Sequence, residues 1–238
     1  YAEKIIMICL GCMTALGNVM LPKMANLIAN HKDNEVRRYL SNSMQFAMLI
    51  GFAIAFGLAA VGARLSVIYF GESYRLCGEA LTLLAVTVVP IAWANVLRTQ
   101  YLIPSAKDRE YLFSVVIGAV LNFGINYLLI PDYGLRGAII GTIIAEYSVA
   151  VLQTIQVRKN IEVKQFIKTS VPFFIIGIGM YFVTVFVGKM TRETVFGLLL
   201  QVLMGSIFYI SLCGGYCIKT RNFVYAYFIS WFKNRRKK

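Results

Sequence analysis

Seven stretches of this chain are long and apolar enough to cross a bilayer: approximately Ile5 to Ala29, Met44 to Gly62, Ala80 to Ile103, Tyr111 to Ile130, Leu135 to Val157, Val171 to Gly188 and Val195 to Ile218. A hydrocarbon layer about 30 Å thick needs about 20 such residues in a helix, since each adds about 1.5 Å and lipid offers no partner to a bare backbone group. The expectation is an all-α membrane protein with seven transmembrane helices. Its connections are too short to form a separate soluble domain. Composition agrees, because 58% of the 238 residues are hydrophobic, 15% are charged, and the apolar ones fall in runs rather than stripes.

The net charge of +13 raises the question of nucleic acid, but the positions of the charges answer it. Sixteen of the 24 Lys and Arg fall in the loops after the first, third and fifth runs and in the tail, against six at the N-terminal end and in the other loops. That alternation is the positive-inside pattern of a multi-pass protein, with the N-terminal end outside and the C-terminal tail in the cytoplasm. The tail KTRNFVYAYFISWFKNRRKK mixes aromatic rings with basic groups, a composition suited to the headgroup layer of an anionic leaflet. The opening YAEKIIMICLG has neither an initiator Met nor a signal-peptide cleavage site, and it reads as part of a longer protein whose earlier helices precede it.

Three polar features lie inside the spans. Ten of the 11 acidic residues sit in loops or at helix ends, and the other, Glu146, is deep in the fifth run. An acid there costs about 2.5–3.5 kcal/mol on insertion scales, so it requires a partner, a proton or water. At 100° per residue Thr142, Glu146, Gln153 and Gln156 share one side of that helix, and Gly137, Gly141 and Ser148 form a small-residue side next to it. These residues are candidates for an ion-coupling site of Glu146, Thr142 and Gln153 beside a wet cavity.

In the fourth run Ser114, Gly118, Asn122 and Asn126 recur every four residues, which fits either interhelical hydrogen bonding or contact with a substrate. The third run holds PIAWANVLRTQYLIP, where Pro90 removes a backbone donor and Asn95, Arg98 and Thr99 share a face below it. Arg98, and Lys23 in LPKMANLIANHK, either snorkel to the interface or form a cationic site for an anionic headgroup, for which guanidinium offers bidentate contacts. After the third and fourth runs, Pro104 in LIPSAKDREY and Pro131 in LIPDYGLRG are expected to stop the helices. No paired carboxylates, nucleophile elbow or phosphate loop is present, and the Cys9–Cys12 pair lacks a second pair or a nearby His. An enzyme, a metal site and an organic cofactor are therefore not expected.

In order, NVMLPKMANLIA with its following basic loop, IAWANVLRTQYLIPSAKDREY and VLNFGINYLLIPDYGLRGAIIGTIIAEY resemble the C-terminal half of bacterial Wzx-type polysaccharide flippases. Those flippases share the MATE/MOP superfamily with lipid II flippases and drug exporters. The resemblance implies half of a two-lobed transporter in the bacterial cytoplasmic membrane. Its helices would be the eighth to fourteenth of the whole, completed by a missing N-terminal half. It divides the chain into five lobe helices over 1–159, two further helices over 160–218 and a basic aromatic cytoplasmic tail over 219–238.

The resemblance also implies a cationic cavity that moves a polyprenyl-diphosphate-linked oligosaccharide between leaflets for surface polysaccharide assembly. Lys23, Asn95, Arg98, Asn122 and Asn126 are then candidates for the substrate and Glu146 for H⁺ or Na⁺ coupling. Membrane lipids are expected partners and nucleic acid is not. A MATE-like exporter of organic cations is one alternative, though one buried acid against two buried bases favours an anionic cargo. A seven-helix receptor is another, and it lacks NPxxY in the last span.

Overall fold

The computed structural model describes residues 1–220, so the tail expected over 219–238 lies, from 221 onward, outside the described residues. Helices α1 (Ala2–Ala29), α2 (Asp33–Phe70), α3 (Arg75–Leu84), α4 (Val88–Leu97), α5 (Asp108–Tyr133), α6 (Leu135–Val157), α7 (Val163–Met190) and α8 (Val195–Thr220) make seven membrane-length spans, with α3 and α4 sharing the third. The ends are set by local chemistry. The Asn30 side chain folds back to donate to Asn26 O at 2.8 Å, and His31 takes the left-handed φ of 53° that turns the chain into α2. Gly71, at φ 95°, ends α2.

Two expected boundaries move. The second span begins well before Met44: α2 is one helix of 38 residues, about 57 Å long, whose first three turns project beyond the apolar run. Pro104 follows the last helical residue of its span, but α5 continues through Pro131 to Tyr133 and stops at Gly134, whose φ is 53°. A proline forfeits its own N–H and crowds the preceding turn without barring the residues after it. The left-handed glycine is what ends α5.

The third span breaks where its sequence implies. Pro90 leaves the carbonyl four residues earlier without its donor, and the chain takes a 3₁₀ turn at Ala85–Thr87, where Thr87 Oγ1 donates to Leu84 O at 2.7 Å. At its other end Arg98–Leu102 winds as a π-helix, with Ile103 N donating to Arg98 O at 3.0 Å.

Helix α2 is the hub, packed against α1, α3, α4, α7 and α8. Leu40, Met44, Met48, Leu81, Val88, Leu97 and Phe173 are buried around it. Arg64, near the C-terminal end of α2, donates to the carbonyls of Gly188 and Thr191, each at 2.8 Å, to Thr191 Oγ1 at 2.9 Å and to Gln201 Oε1 at 3.1 Å. It closes the C-terminal end of α7, where helix carbonyls lack partners and a cation is favoured. By contrast α5 is peripheral: it rests chiefly on α6 and also meets the π-helical turn.

The α5–α6 seam follows rows of every fourth residue on both helices. A methyl group on Gly137 would come within 2.6 Å of the Leu129 carbonyl, and one on Gly141 would collide with Asn126 Oδ1. Further along, Gly118 lies on Ala145 and Val149, and Gln153 Nε2 donates to Ser114 Oγ at 3.2 Å. A four-residue step overshoots a turn by about 40°, so the seam rotates by about 160° between Gly137 and Gln153 and the helices cross rather than run parallel.

Candidate functional site

Helices α1 and α6 both pack on α4. Between those contacts α4 shows a half-buried strip of Ile91, Asn95 and Arg98, which fall within about 60° of one another on the helix. Asn95 reaches α1 at Gly17, where an added methyl group would stand 2.9 Å from Asn95 Oδ1 and 3.0 Å from Thr99 Oγ1. Gly17 thus admits the polar edge of α4 to the wall of α1.

Arg98 begins the π-helical turn, a geometry that rotates a side chain out of the regular helical sequence of faces. Its guanidinium carbon lies 5.9 Å from the centre of the Tyr111 ring, at the start of α5. Arg98 Nε is buried and has no hydrogen-bond partner.

Lys23, on α1, sits over a ring as well: its ammonium is 3.8 Å from the centre of Tyr39, on the projecting start of α2. Neither cation is neutralised. Among the described residues the ion pairs are Lys32–Glu35, Arg75–Glu72 and Arg136–Glu79, all at exposed ends of helices. Aromatic faces steady a cation without cancelling its charge, so Lys23 and Arg98 keep their attraction for an anion.

Glu146 is half-buried on α6, and no hydrogen bond or ion pair involves it among the described residues. The lipid face of α6 is marked by Ile140, Ile144, Val151 and Ile155, each 40–53% exposed. Glu146 lies on the opposite side of the helix. The Glu3 carboxylate of α1 is within electrostatic reach of it. Thr142, one turn earlier, is also half-buried and donates to Ala138 O at 3.1 Å.

The other three candidates lie elsewhere. Gln153 has 1% exposure and is fixed to Ser114 inside the α5–α6 seam, so it does not join Glu146 although the two share an azimuth. Because the seam rotates, α5 covers that azimuth at Gln153 and leaves it open two turns earlier at Glu146. Asn122 and Asn126 belong to the same seam, with Asn126 Nδ2 donating to Asn122 Oδ1 at 3.0 Å and Asn126 lying against Gly141. The bond between them lies within α5, and Asn126 Oδ1 is buried without a hydrogen-bond partner.

Asn95 and Arg98 therefore lie together at the end of α4 and the turn after it, Lys23 stands on α1 against Tyr39 of α2, and Thr142 and Glu146 lie on α6. Tyr39 and Tyr111 complete the set. Nothing in the spacing of an isolated Tyr in a polar helix start signals that it will carry a cation from another helix. Among the described residues no group of three or more His, Cys, Asp or Glu is close enough to hold a metal ion.

Comparison with known proteins places this arrangement. The sequence model of the family described as "Lipid II flippase MurJ" matches residues 1–209. Over 145 residues the chain is 26% identical to a Shigella dysenteriae protein described as "Putative O-antigen transporter", a match spanning 61% of this chain and 36% of that protein. A solved structure, "Lipid II flippase MurJ, inward closed conformation", superposes with a TM-score of 0.70 at 16% identity, covering 93% of this chain and 47% of that one. At that identity the likeness is one of fold. The chain spans about half of the solved protein and about a third of the curated relative.

Proposed function

The chain belongs to the lipid II flippase MurJ family, and from that premise we propose that it supplies one lobe of a flippase for a polyprenyl-diphosphate-linked oligosaccharide in the bacterial cytoplasmic membrane. The observation that carries this reading is the pair of cations Lys23 and Arg98, each held on a tyrosine ring and neither paired with a carboxylate among the described residues. The half-buried Arg98, whose buried Nε lacks an acceptor, is costly to leave unpaired, and a diphosphate arriving between lobes offsets that cost with charge-assisted contacts. Asn95, beside Arg98, offers an amide for the phosphate or the first sugar. A second lobe, of the kind two-lobed transporters carry, closes the other side of the cavity. The lobe alternates its opening between leaflets, and each state is favoured according to how well it binds the headgroup.

Glu146 is the coupling group in this reading. It takes up H⁺ or Na⁺ when the cavity opens to the side that supplies the ion, and Thr142 lies next to it on the same wall. Glu146 has no partner charge, so occupancy by an ion changes the local balance by a full unit and biases the two states differently. The family assignment sets aside the receptor alternative, and two unpaired bases against one acid weigh against a carrier of organic cations.

The test is flipping of labelled lipid-linked oligosaccharide by the full-length transporter in vesicles. Replacing Lys23 and Arg98 together with Gln should abolish flipping while the protein remains folded. Wild-type flipping by that variant would remove the cations from the mechanism.

A further inference from the structure

We propose that the start of α2 and the α6–α7 connection together hold the headgroup of an amino-phosphodiester membrane lipid, of the phosphatidylethanolamine kind, at a site separate from the transport cavity. The site is a pocket of about 300 Å³ bordered by Arg37, Arg38, Asn42 and Gln45 of α2 and by Glu162 and Gln165 where α7 begins. That volume is at the small end of ligand sites, enough for a headgroup but not for an acyl chain. The floor is apolar and buried, formed by Leu40, Ile161 and Phe166.

The polar residues of α2 are not an ordinary solvated face. Arg38, Asn42 and Gln45 recur at helical spacing, and the row runs from an exposed guanidinium to a residue with 6% exposure. Gln45 Oε1 is buried without a hydrogen-bond partner, and an unsatisfied buried carbonyl needs a donor. Glu162, at the N-cap of α7, makes no capping bond with its side chain and forms no ion pair among the described residues, although two arginines border the same pocket. The cavity keeps these opposite charges apart.

The walls specify the ligand. On one side two guanidiniums suit a phosphate, which they contact in bidentate fashion. Glu162, across the pocket from α2, and Gln45 Oε1, at the buried end of the α2 row, accept hydrogen bonds and suit a cation bearing N–H groups. Phosphoethanolamine carries both groups a few bonds apart. A glycerol headgroup brings only hydroxyls to the carboxylate, and a choline headgroup brings a cation with no N–H. The pocket opens at the level of the basic loops, where headgroups lie, and the proposal does not depend on what the transporter moves.

Native mass spectrometry of the full-length transporter, equilibrated with phosphatidylethanolamine, phosphatidylglycerol or phosphatidylcholine in separate micelles, tests it. Wild type should retain phosphatidylethanolamine, and a Gln45→Leu, Glu162→Gln variant should hold about tenfold less, the loss expected for one charge-assisted contact. Gln45→Glu, which keeps the side-chain size and adds a second carboxylate, should retain more than wild type, a gain that no packing defect produces. Equal retention by wild type and the double variant would overturn the proposal, as would stronger retention of phosphatidylglycerol. Glycerophosphoethanolamine in solution should not compete at matched concentration; if it did, the ligand would be a free metabolite and the lipid assignment would fall.

Discussion

At the scale of single residues the account depends on which charges inside the bundle lack partners. Arg98 has a ring at 5.9 Å and a buried Nε with no acceptor. Replacing it with Gln should therefore weaken binding of a lipid-linked diphosphate by the full-length transporter about tenfold, measured by titration in micelles, and Lys should restore part of the loss because it keeps the charge but not the fork. For Glu146 the measurement is flipping with and without an imposed ion gradient. Glu146→Gln should remove the response to the gradient, while Glu146→Asp should keep it. Arg64 is a cation of another kind, because its four hydrogen bonds are all made within the lobe. Arg64→Met should cost about 3 kcal/mol and lower the thermal unfolding midpoint without changing substrate affinity. Sequence alone distinguished Glu146, Lys23 and Arg98 as charges at depth. It gave no means of finding Tyr39 and Tyr111 beside the cations, since those contacts join residues from different helices.

At the scale of elements, the extents of the spans were legible because hydrophobic length is a one-dimensional property, and α6 occupies the expected range of Leu135–Val157. Helix azimuth was legible only in part. A wheel drawn for a straight, isolated helix puts Gln153 with Glu146, but crossing helices share a seam that rotates, and Gln153 ends up against Ser114. The four-residue row of α5 held the correction, since a row of that step implies a partner crossing at an angle. The seam allows a sharp prediction: Gly141→Leu puts a branched side chain where Asn126 lies and should cost about 1–3 kcal/mol, read as a lower thermal midpoint of the purified transporter. Ile144→Leu, on the exposed side of the same helix, should leave the midpoint unchanged.

At the scale of the whole molecule, the fold is a helical lobe organised on α2, and its buried polar atoms without partners are spread over α2, α3, α5, α6, α7 and the turn after α4. Solvation separates the lipid face from the rest. Apolar side chains suffice where a helix meets lipid, so α6 turns Ile140, Ile144, Val151 and Ile155 outward, and ionised groups persist only where water or a ligand reaches them. The central claim is that Lys23, Arg98 and Glu146 border one hydrated passage. Its most direct test is the reactivity of single cysteines toward a membrane-impermeant thiol reagent, in a full-length transporter whose native cysteines are replaced by Ser. Lys23→Cys, Arg98→Cys and Glu146→Cys should all be modified from the aqueous phase, and Ile144→Cys and Val151→Cys should not. Modification of the two lipid-face positions while the other three remain unreactive would contradict the account.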